Sequence, residues 1–159
     1  MEDWIFDAPL QLLRTQSPLQ MTDRPADYVL TYNGQLRTTM THQQSGSKVI
    51  TDAPVDNHGK GESFSPTDLV SSALGSCVMT ILAIKAKDMG LEPSKIEANV
   101  WKTMGTNPRR IQRIVVELTI HMPEATDQQK KILERTTRAC PVARSLHPDT
   151  EEIVNFYWT

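Results

Sequence analysis

A long, nearly uncharged apolar run constrains the fold of this chain more than any other feature. The run extends from Ser65 to Lys85, and Asp68 is the only charged residue before that lysine. Ser65 followed by Pro66, with Asp68 three residues after the serine, is typical of a helix start closed by a capping box. Gly90 is the kind of residue that ends a helix. We therefore predict one long helix between Ser65 and Gly90.

This helix needs more cover than a chain of this size offers. Its apolar residues recur at spacings of three and four, which predicts an inward face. The residues of that predicted face are Leu69, Ala73, Cys77, Ile81 and Ile84. A helix that is apolar on nearly all sides is normally buried on most of them. One short sheet and one amphipathic helix cannot cover it, so we predict an obligate homodimer with the central helices between two sheets.

The rest of the chain favours short strands and one further helix. Runs of β-branched and aromatic residues predict strands at 28–32, 36–42, 48–51, 96–103, 110–122 and 153–158. Asn33-Gly34 predicts a hairpin turn between the first two strands. In the longest strand one alternating face, Ile114 to Met122, is apolar and predicted to be buried. A helix from Thr126 to about Ala139 completes an α+β fold, with antiparallel sheets packed around the long buried helix.

Composition and charge restrict the possible partners. The 159 residues suffice for one domain, and a net charge of −2 gives no basic surface for nucleic acid or an anionic membrane. No apolar run approaches the roughly 20 residues of a membrane span, and the first residues are acidic, unlike a secretory signal. We expect a cytoplasmic protein without nucleic-acid or membrane partners. Residues 1–27 are expected to form an N-terminal arm or extension, and residues 28–159 the domain.

Cys77 and Cys140, the only two cysteines, are the main candidates for chemistry. In the reducing cytoplasm a cysteine pair is more often catalytic or redox-sensing than structural. If the two thiols meet in the fold, they indicate thiol redox chemistry; if they do not, both are small core residues. No Cys-x₂-Cys spacing is present, so we predict no metal site. We also expect no bound cofactor. The four histidines are expected at the surface or in strands: His42, His58, His121 and His147.

Two segments resemble a known family. Residues 64–77, Phe-Ser-Pro-Thr-Asp-Leu-Val-Ser-Ser-Ala-Leu-Gly-Ser-Cys, followed by an apolar helix, resemble the thiol-bearing helix of the OsmC and organic hydroperoxide resistance superfamily. The Cys140-Pro-Val segment, between an amphipathic helix and a final strand, resembles its second cysteine motif. Gly34 and Arg37, at the first turn, also fit. The resemblance covers roughly residues 28–158 and implies the OsmC-like fold, an intertwined α/β homodimer with two active sites at the subunit interface.

The resemblance also implies an activity and roles for three residues. The peroxidase members of the family reduce small organic hydroperoxides through a sulfenic acid and then a disulfide, which an external dithiol or lipoyl group reduces. By position, Cys77 would be the thiol that attacks the peroxide and Cys140 the resolving thiol. Arg37 would reach the thiolate, either in its own subunit or from the opposite one. Those members carry a glutamate at the position of Thr67, where it pairs with the arginine.

Physical chemistry supports these roles independently. The thiolate is the nucleophile, and Cys77 lies too far inside its helix for the helix dipole to stabilise that charge. It therefore needs a neighbouring cation, for which Arg37 is our choice and Arg138 and Arg144 are competitors. At the start of its own short helix, Cys140 is expected to have a pKa lowered by the dipole.

A departure at the helix start leaves two functions open. The acid that follows Thr67 is Asp68, and one residue turns a side chain by about 100° around a helix, so Asp68 is expected to act as a cap. The first function is a thiol-dependent peroxidase of the oxidative stress response. The second is a non-catalytic dimer of the same fold that binds a small hydrophobic ligand or senses oxidants.

Overall fold

The computed structural model describes residues 24–159, and most of the predicted arm 1–27 lies outside the described residues. The described part contains two three-stranded sheets, β1-β2-β3 and β4-β5-β6, and one long helix that packs against the second sheet, which confirms the α+β prediction. In chain order the elements are β1 (Tyr28–Gly34), β2 (Arg37–His42), β3 (Lys48–Asp52), α1 (Pro66–Asp88), β4 (Lys95–Thr106), β5 (Arg109–His121), α2 (Asp127–Thr136), α3 (Pro141–Ser145) and β6 (Glu151–Trp158).

The first sheet is an antiparallel meander whose first turn differs from the prediction. β1 continues through Gly34, which pairs with Arg37, so the turn lies two residues later than Asn33-Gly34. Its central residues, Gln35 and Leu36, have φ angles of 52° and 61°. A two-residue turn with both central residues left-handed matches the twist of the strands it joins. This geometry is uncommon for residues other than glycine, asparagine and aspartate.

The second sheet is mixed, which corrects the prediction of antiparallel sheets. β4 pairs with β5 in an antiparallel manner, but β6 runs parallel to β5, with Val116 opposite Val154. The chain between β5 and β6 passes through α2 and α3, and a crossover of this length is what a parallel neighbour requires. The predicted buried face of β5 is confirmed, because its apolar residues are at most 2% exposed: Ile114, Val116, Leu118, Ile120 and Met122.

Both predicted helix starts are confirmed in detail. At the start of α1, the Asp68 backbone N–H donates to Ser65 Oγ (3.2 Å), and the Ser65 N–H donates to Asp68 Oδ2 (2.7 Å). Thr126 and Gln129 form the same reciprocal pair at the start of α2. Each cap satisfies backbone donors that a helix start otherwise leaves without partners. α1 ends with Asp88, just before the predicted Gly90.

The buried face of α1 is not the predicted one. The helix is buried at Ser71, Leu74, Gly75, Val78, Leu82 and Ala86. Of the predicted face, Ala73 is exposed, Ile84 is 58% exposed and Cys77 is half-buried. The reason is close packing at Gly75, where an added Cβ would lie 2.9 Å from Val100 Cγ2 on β4. In a helix that is apolar nearly all round, small residues rather than periodicity decide which face meets the sheet.

Much apolar surface remains uncovered in the single chain. One 18-residue window of α1 has a mean hydropathy of 1.7 and is 33% buried, so by length and composition the helix could span a membrane. The prediction that no run reaches this length was wrong, although core helices of folded domains meet the same criteria. On the first sheet, Tyr28, Leu30 and Tyr32 are 61–65% exposed. These surfaces have no cover within residues 24–159.

Candidate functional site

The structure brings the two cysteines together. Cys77 lies half-buried near the middle of α1, and Cys140 is fully buried at the residue before α3. The Cys140 thiol donates toward Cys77 Sγ at a sulfur–sulfur distance of 2.7 Å, and both are free thiols. α2 and the following turn direct the chain back to α1, and Pro141 ends that turn because the residue before a proline avoids the helical region. The geometry therefore suits the formation of a disulfide bond between Cys77 and Cys140.

Cys140 differs from the expectation for a helix start. Burial raises the pKa of the Cys140 thiol, the contact with Cys77 raises it further, and the backbone N–H of Ala143 only partly opposes both. That N–H lies 3.5 Å from Cys140 Sγ, and α3 is only five residues long. A single turn of helix offers little dipole, while removal of the sulfur from water disfavours its charged form. Cys140 is thus a thiol that keeps its proton at neutral pH.

Arg37 is engaged by two carboxylates of its own chain and not by the thiols. It is the first residue of β2, and its Nη2 donates to Asp52 Oδ2 (3.3 Å) and to Glu62 Oε2. These bonds, first that to Glu62 and then that to Asp52, raise the pKa of Arg37. None of its hydrogen bonds to the described residues reaches Cys77 or Cys140. The structure therefore does not join the predicted trio in a single subunit.

The two competing arginines are both exposed. Arg138 lies in the 3-10 turn that precedes Cys140, and Arg144 lies in the last turn of α3. Neither forms a hydrogen bond to a thiol among the contacts of the described residues. Arg138 instead lines a cleft of about 750 Å³ between α2 and β6. Glu152 lines the same cleft, and burial raises its pKa.

Lys102 of β4, which contacts the start of α1, was not predicted from the sequence. Lys102 Nζ donates to Asp68 Oδ1 (2.6 Å), to Thr67 Oγ1 (2.7 Å) and more distantly to Ser65 Oγ (3.4 Å). The side chain is only 17% exposed. The signal was available, because Lys102 continues the inward-facing alternation of β4 set by Ala98 and Val100. A lysine on that face needs a carboxylate, and Asp68 supplies it.

Asp68 is consequently a cap and a lysine partner. Burial alone would raise the pKa of Asp68, but the hydrogen bonds from Lys102 and Ser65 outweigh it and hold that pKa below its usual value. Among the described residues, the Thr67 hydroxyl forms hydrogen bonds with Ser65 and Lys102. The position at which the resemblance implies a glutamate therefore holds a hydroxyl that is engaged by Lys102. Within residues 24–159, no group of three or more His, Cys, Asp and Glu residues could hold a metal ion.

Comparisons with known proteins identify the family of this chain. The family model described as OsmC-like protein matches residues 59–152, which include both cysteines. A candidate osmotic stress induced and detoxification response protein from Psychrobacter arcticus is 44% identical over 84% of this chain and 96% of its own, with a TM-score of 0.79. Among proteins of curated function, none matches the chain.

Two more distant structures share the fold. An OsmC-like protein from Mycoplasma pneumoniae is 20% identical over 86% of this chain and 99% of its own, with a TM-score of 0.70. An organic hydroperoxide resistance protein from Elizabethkingia anophelis, with thiocyanate bound, is 14% identical over 85% and 98%, with a TM-score of 0.63. The family model over residues 59–152 and the 44% identity to the Psychrobacter arcticus protein show that the chain belongs to the OsmC-like protein family.

Proposed function

We propose that this protein is a thiol peroxidase that reduces small organic hydroperoxides. The observation that carries the proposal is the sulfur–sulfur distance of 2.7 Å between Cys77 and Cys140, in a fold shared with organic hydroperoxide resistance proteins. Cys77 is the half-buried member of the pair and therefore the one that a substrate can reach. Cys140 has no exposed surface and a raised pKa.

The proposed reaction has three steps: oxidation of Cys77, formation of a disulfide and reduction of that disulfide. The Cys77 thiolate attacks the distal oxygen of the hydroperoxide, the O–O bond breaks, and the alkoxide takes a proton to leave as an alcohol. The Cys77 sulfenic acid then condenses with the Cys140 thiol, which forms a disulfide and releases water. An external dithiol or lipoyl group reduces the disulfide by thiol–disulfide exchange and is itself oxidised. No bound cofactor takes part.

The active unit in this proposal is a homodimer of residues 28–159, with residues 1–27 as an arm outside the reaction. The uncovered surfaces of α1 and of the first sheet, which include Ile84, Tyr28 and Leu30, support the assembly. Contiguous exposed apolar surface of this kind commonly marks an interface. Arg37 forms no hydrogen bond to a thiol of its own chain, and we place it at the Cys77 thiolate of a second copy.

Stoichiometric oxidation tests the reaction. Cumene hydroperoxide, added below one equivalent to the reduced protein, should produce an intramolecular Cys77–Cys140 disulfide within seconds, seen by mass spectrometry of the non-reduced digest. Cys140→Ser should stop at a sulfenic acid that dimedone traps. Cys77→Ser should consume no peroxide, and Ser76→Ala, at the exposed neighbouring position, serves as the matched control.

The outcomes separate the two candidate functions. Peroxide consumption that continues in Cys77→Ser would refute the peroxidase. A disulfide that forms but is not turned over by dithiothreitol or dihydrolipoamide would instead indicate an oxidant sensor.

A further inference from the structure

We propose that Asp52 and Glu62 are the positioning residues of Arg37, and that they fix its guanidinium so that Nη1 is the donor left for the reacting sulfur. This inference rests on the proposed function. It concerns two carboxylates that lie outside the helix start and both cysteine motifs. The resemblance implies a glutamate in the first turn of α1 as the arginine's partner, but Thr67 occupies that position.

The hydrogen bonds of Arg37 define which nitrogen is free. Both carboxylates bind the same atom, Nη2, and Nε is buried without a hydrogen-bond partner among the described residues. The Arg37 side chain is 30% exposed. Nη1 forms no hydrogen bond to a described residue and is not among the buried atoms without a partner. Since guanidinium donors are rigidly fixed to one plane, holding Nη2 also sets the direction of Nη1.

Asp52 is a rigid anchor for this purpose. It is fully buried at the end of β3 and directly opposite Arg37 in the strand pairing. The backbone N–H of Glu62 donates to Asp52 Oδ2 (3.0 Å). That bond, against the opposing effect of burial and together with Arg37, lowers the pKa of Asp52 and keeps it ionised at neutral pH. A buried charge with a fixed backbone contact has few alternative positions, so the Arg37 side chain that binds it is also restricted.

The loop from β3 to α1 completes the arrangement. It brings Glu62, 57% exposed, over the outer side of the guanidinium. The Ala53 N–H donates to the Leu36 carbonyl (3.2 Å), which ties the loop to the left-handed turn immediately before Arg37. Asp52 Oδ1 is a second buried atom without a partner among the described residues. Two buried atoms of this ion pair therefore keep unused hydrogen-bonding capacity within residues 24–159, next to a turn with two left-handed residues.

Other carboxylates near the helix start are already engaged. Asp68 accepts from Lys102 and from the backbone of Ser65, so its two oxygens are occupied. Asp52 and Glu62 thus perform the task that the resemblance implies for a glutamate in the first turn of α1.

The test measures Cys77 in the full-length protein with Cys140→Ser as background. Two rates are followed: alkylation by iodoacetamide as a function of pH, and sulfenic acid formation with cumene hydroperoxide. Asp52→Asn, which keeps the shape but not the charge, should shift the alkylation midpoint to higher pH and slow sulfenic acid formation by about tenfold or more. Glu62→Gln should act in the same direction. The matched control is Glu151→Gln, an exposed partner of Arg113 at 2.5 Å on the other sheet.

A double-mutant cycle distinguishes positioning from general stability. In an Arg37→Met background, Asp52→Asn and Glu62→Gln should each change both rates by less than about twofold, because the group that they position is gone. Equal effects with and without Arg37 would overturn the inference, as would wild-type rates in both single variants. If Asp52→Asn fails to fold, the exposed Glu62→Gln alone decides between these outcomes.

Failure of the proposed function would be seen separately. A protein that does not react with hydroperoxide at all refutes the peroxidase, while the alkylation profiles still decide the roles of Asp52 and Glu62.

Discussion

Lys102 joins β4 to the first turn of α1, and its removal shows how strongly this contact holds the helix start. Lys102→Met keeps the apolar stem and deletes the charge and three hydrogen bonds. Hydrogen bonds to charged groups contribute about 1.5–3 kcal/mol when buried, whereas exposed pairs contribute about 0.2–1 kcal/mol. Lys102 is 17% exposed and Asp68 39%, so screening reduces the larger value. We expect a loss of about 1–2 kcal/mol in the free energy of unfolding at pH 7.

The pH dependence gives this prediction its sign. The pKa of Asp68 is lowered in the folded protein, so its contribution is complete above the ordinary aspartate pKa and disappears as the pH falls through the folded value. The difference between wild type and Lys102→Met should therefore stay constant from neutral pH down to about 4, the ordinary aspartate pKa, and shrink as the pH falls further. Urea unfolding at constant protein concentration measures it, because association would make stability depend on concentration.

A control variant sets the standard for refutation. Lys95 pairs with Glu97 at 2.9 Å on the exposed face of the same strand, with both side chains more than 60% exposed. Lys95→Met should cost no more than about 0.5 kcal/mol. If Lys102→Met is no more damaging than this control, or if its effect is the same at low pH, the pair with Asp68 does not hold the helix start.

Two substitutions and one alkylation experiment test packing, capping and thiol reactivity. Gly75→Ala should destabilise the protein by about 1–3 kcal/mol in urea unfolding, because the new Cβ would lie 2.9 Å from Val100 Cγ2. Adding Val100→Ala should recover most of the loss. Stabilisation by Gly75→Ala alone would contradict the close contact. Thr126→Ala should lower stability by about 1 kcal/mol through loss of the α2 cap, and an unchanged urea midpoint would argue against it. Iodoacetamide at about pH 7.5, where an ordinary thiol begins to ionise, should modify Cys77 before Cys140, because burial raises the pKa of Cys140. Peptide mapping that finds Cys140 modified first would refute this order.

The elements with strong local signals could be predicted from the sequence. Ser65 with Asp68 marked the start of α1, because a capping box involves only neighbouring residues. The apolar alternation from Ile114 to Met122 located the buried face of β5 for a similar reason. The meeting of Cys77 and Cys140 was left open by their separation and followed only from the fold.

What the sequence could not provide depends on contacts between distant segments. The direction of β6 is set by the path of the crossover, and the inward face of α1 by the space at Gly75. The partners of Arg37 are Asp52 at the end of β3 and Glu62 on the following loop, and nothing in the local sequence distinguishes Glu62 from an ordinary solvated side chain. The pKa of Cys140 is raised, whereas a lowered pKa was expected, because burial depends on the tertiary fold and outweighs the dipole of a single helical turn.

The exposed first sheet has a consequence for handling the protein. β1 is an edge strand, and its segment Tyr28-Val-Leu-Thr-Tyr32 is uncharged, free of proline and glycine, and rich in aromatic and β-branched residues. Such segments are templates for strand addition between molecules. Any condition that leaves this face uncovered, such as dilution or partial denaturation, therefore presents a nucleus for aggregation. If the proposed homodimer covers this face, the same five residues would serve subunit pairing when covered and aggregation when exposed.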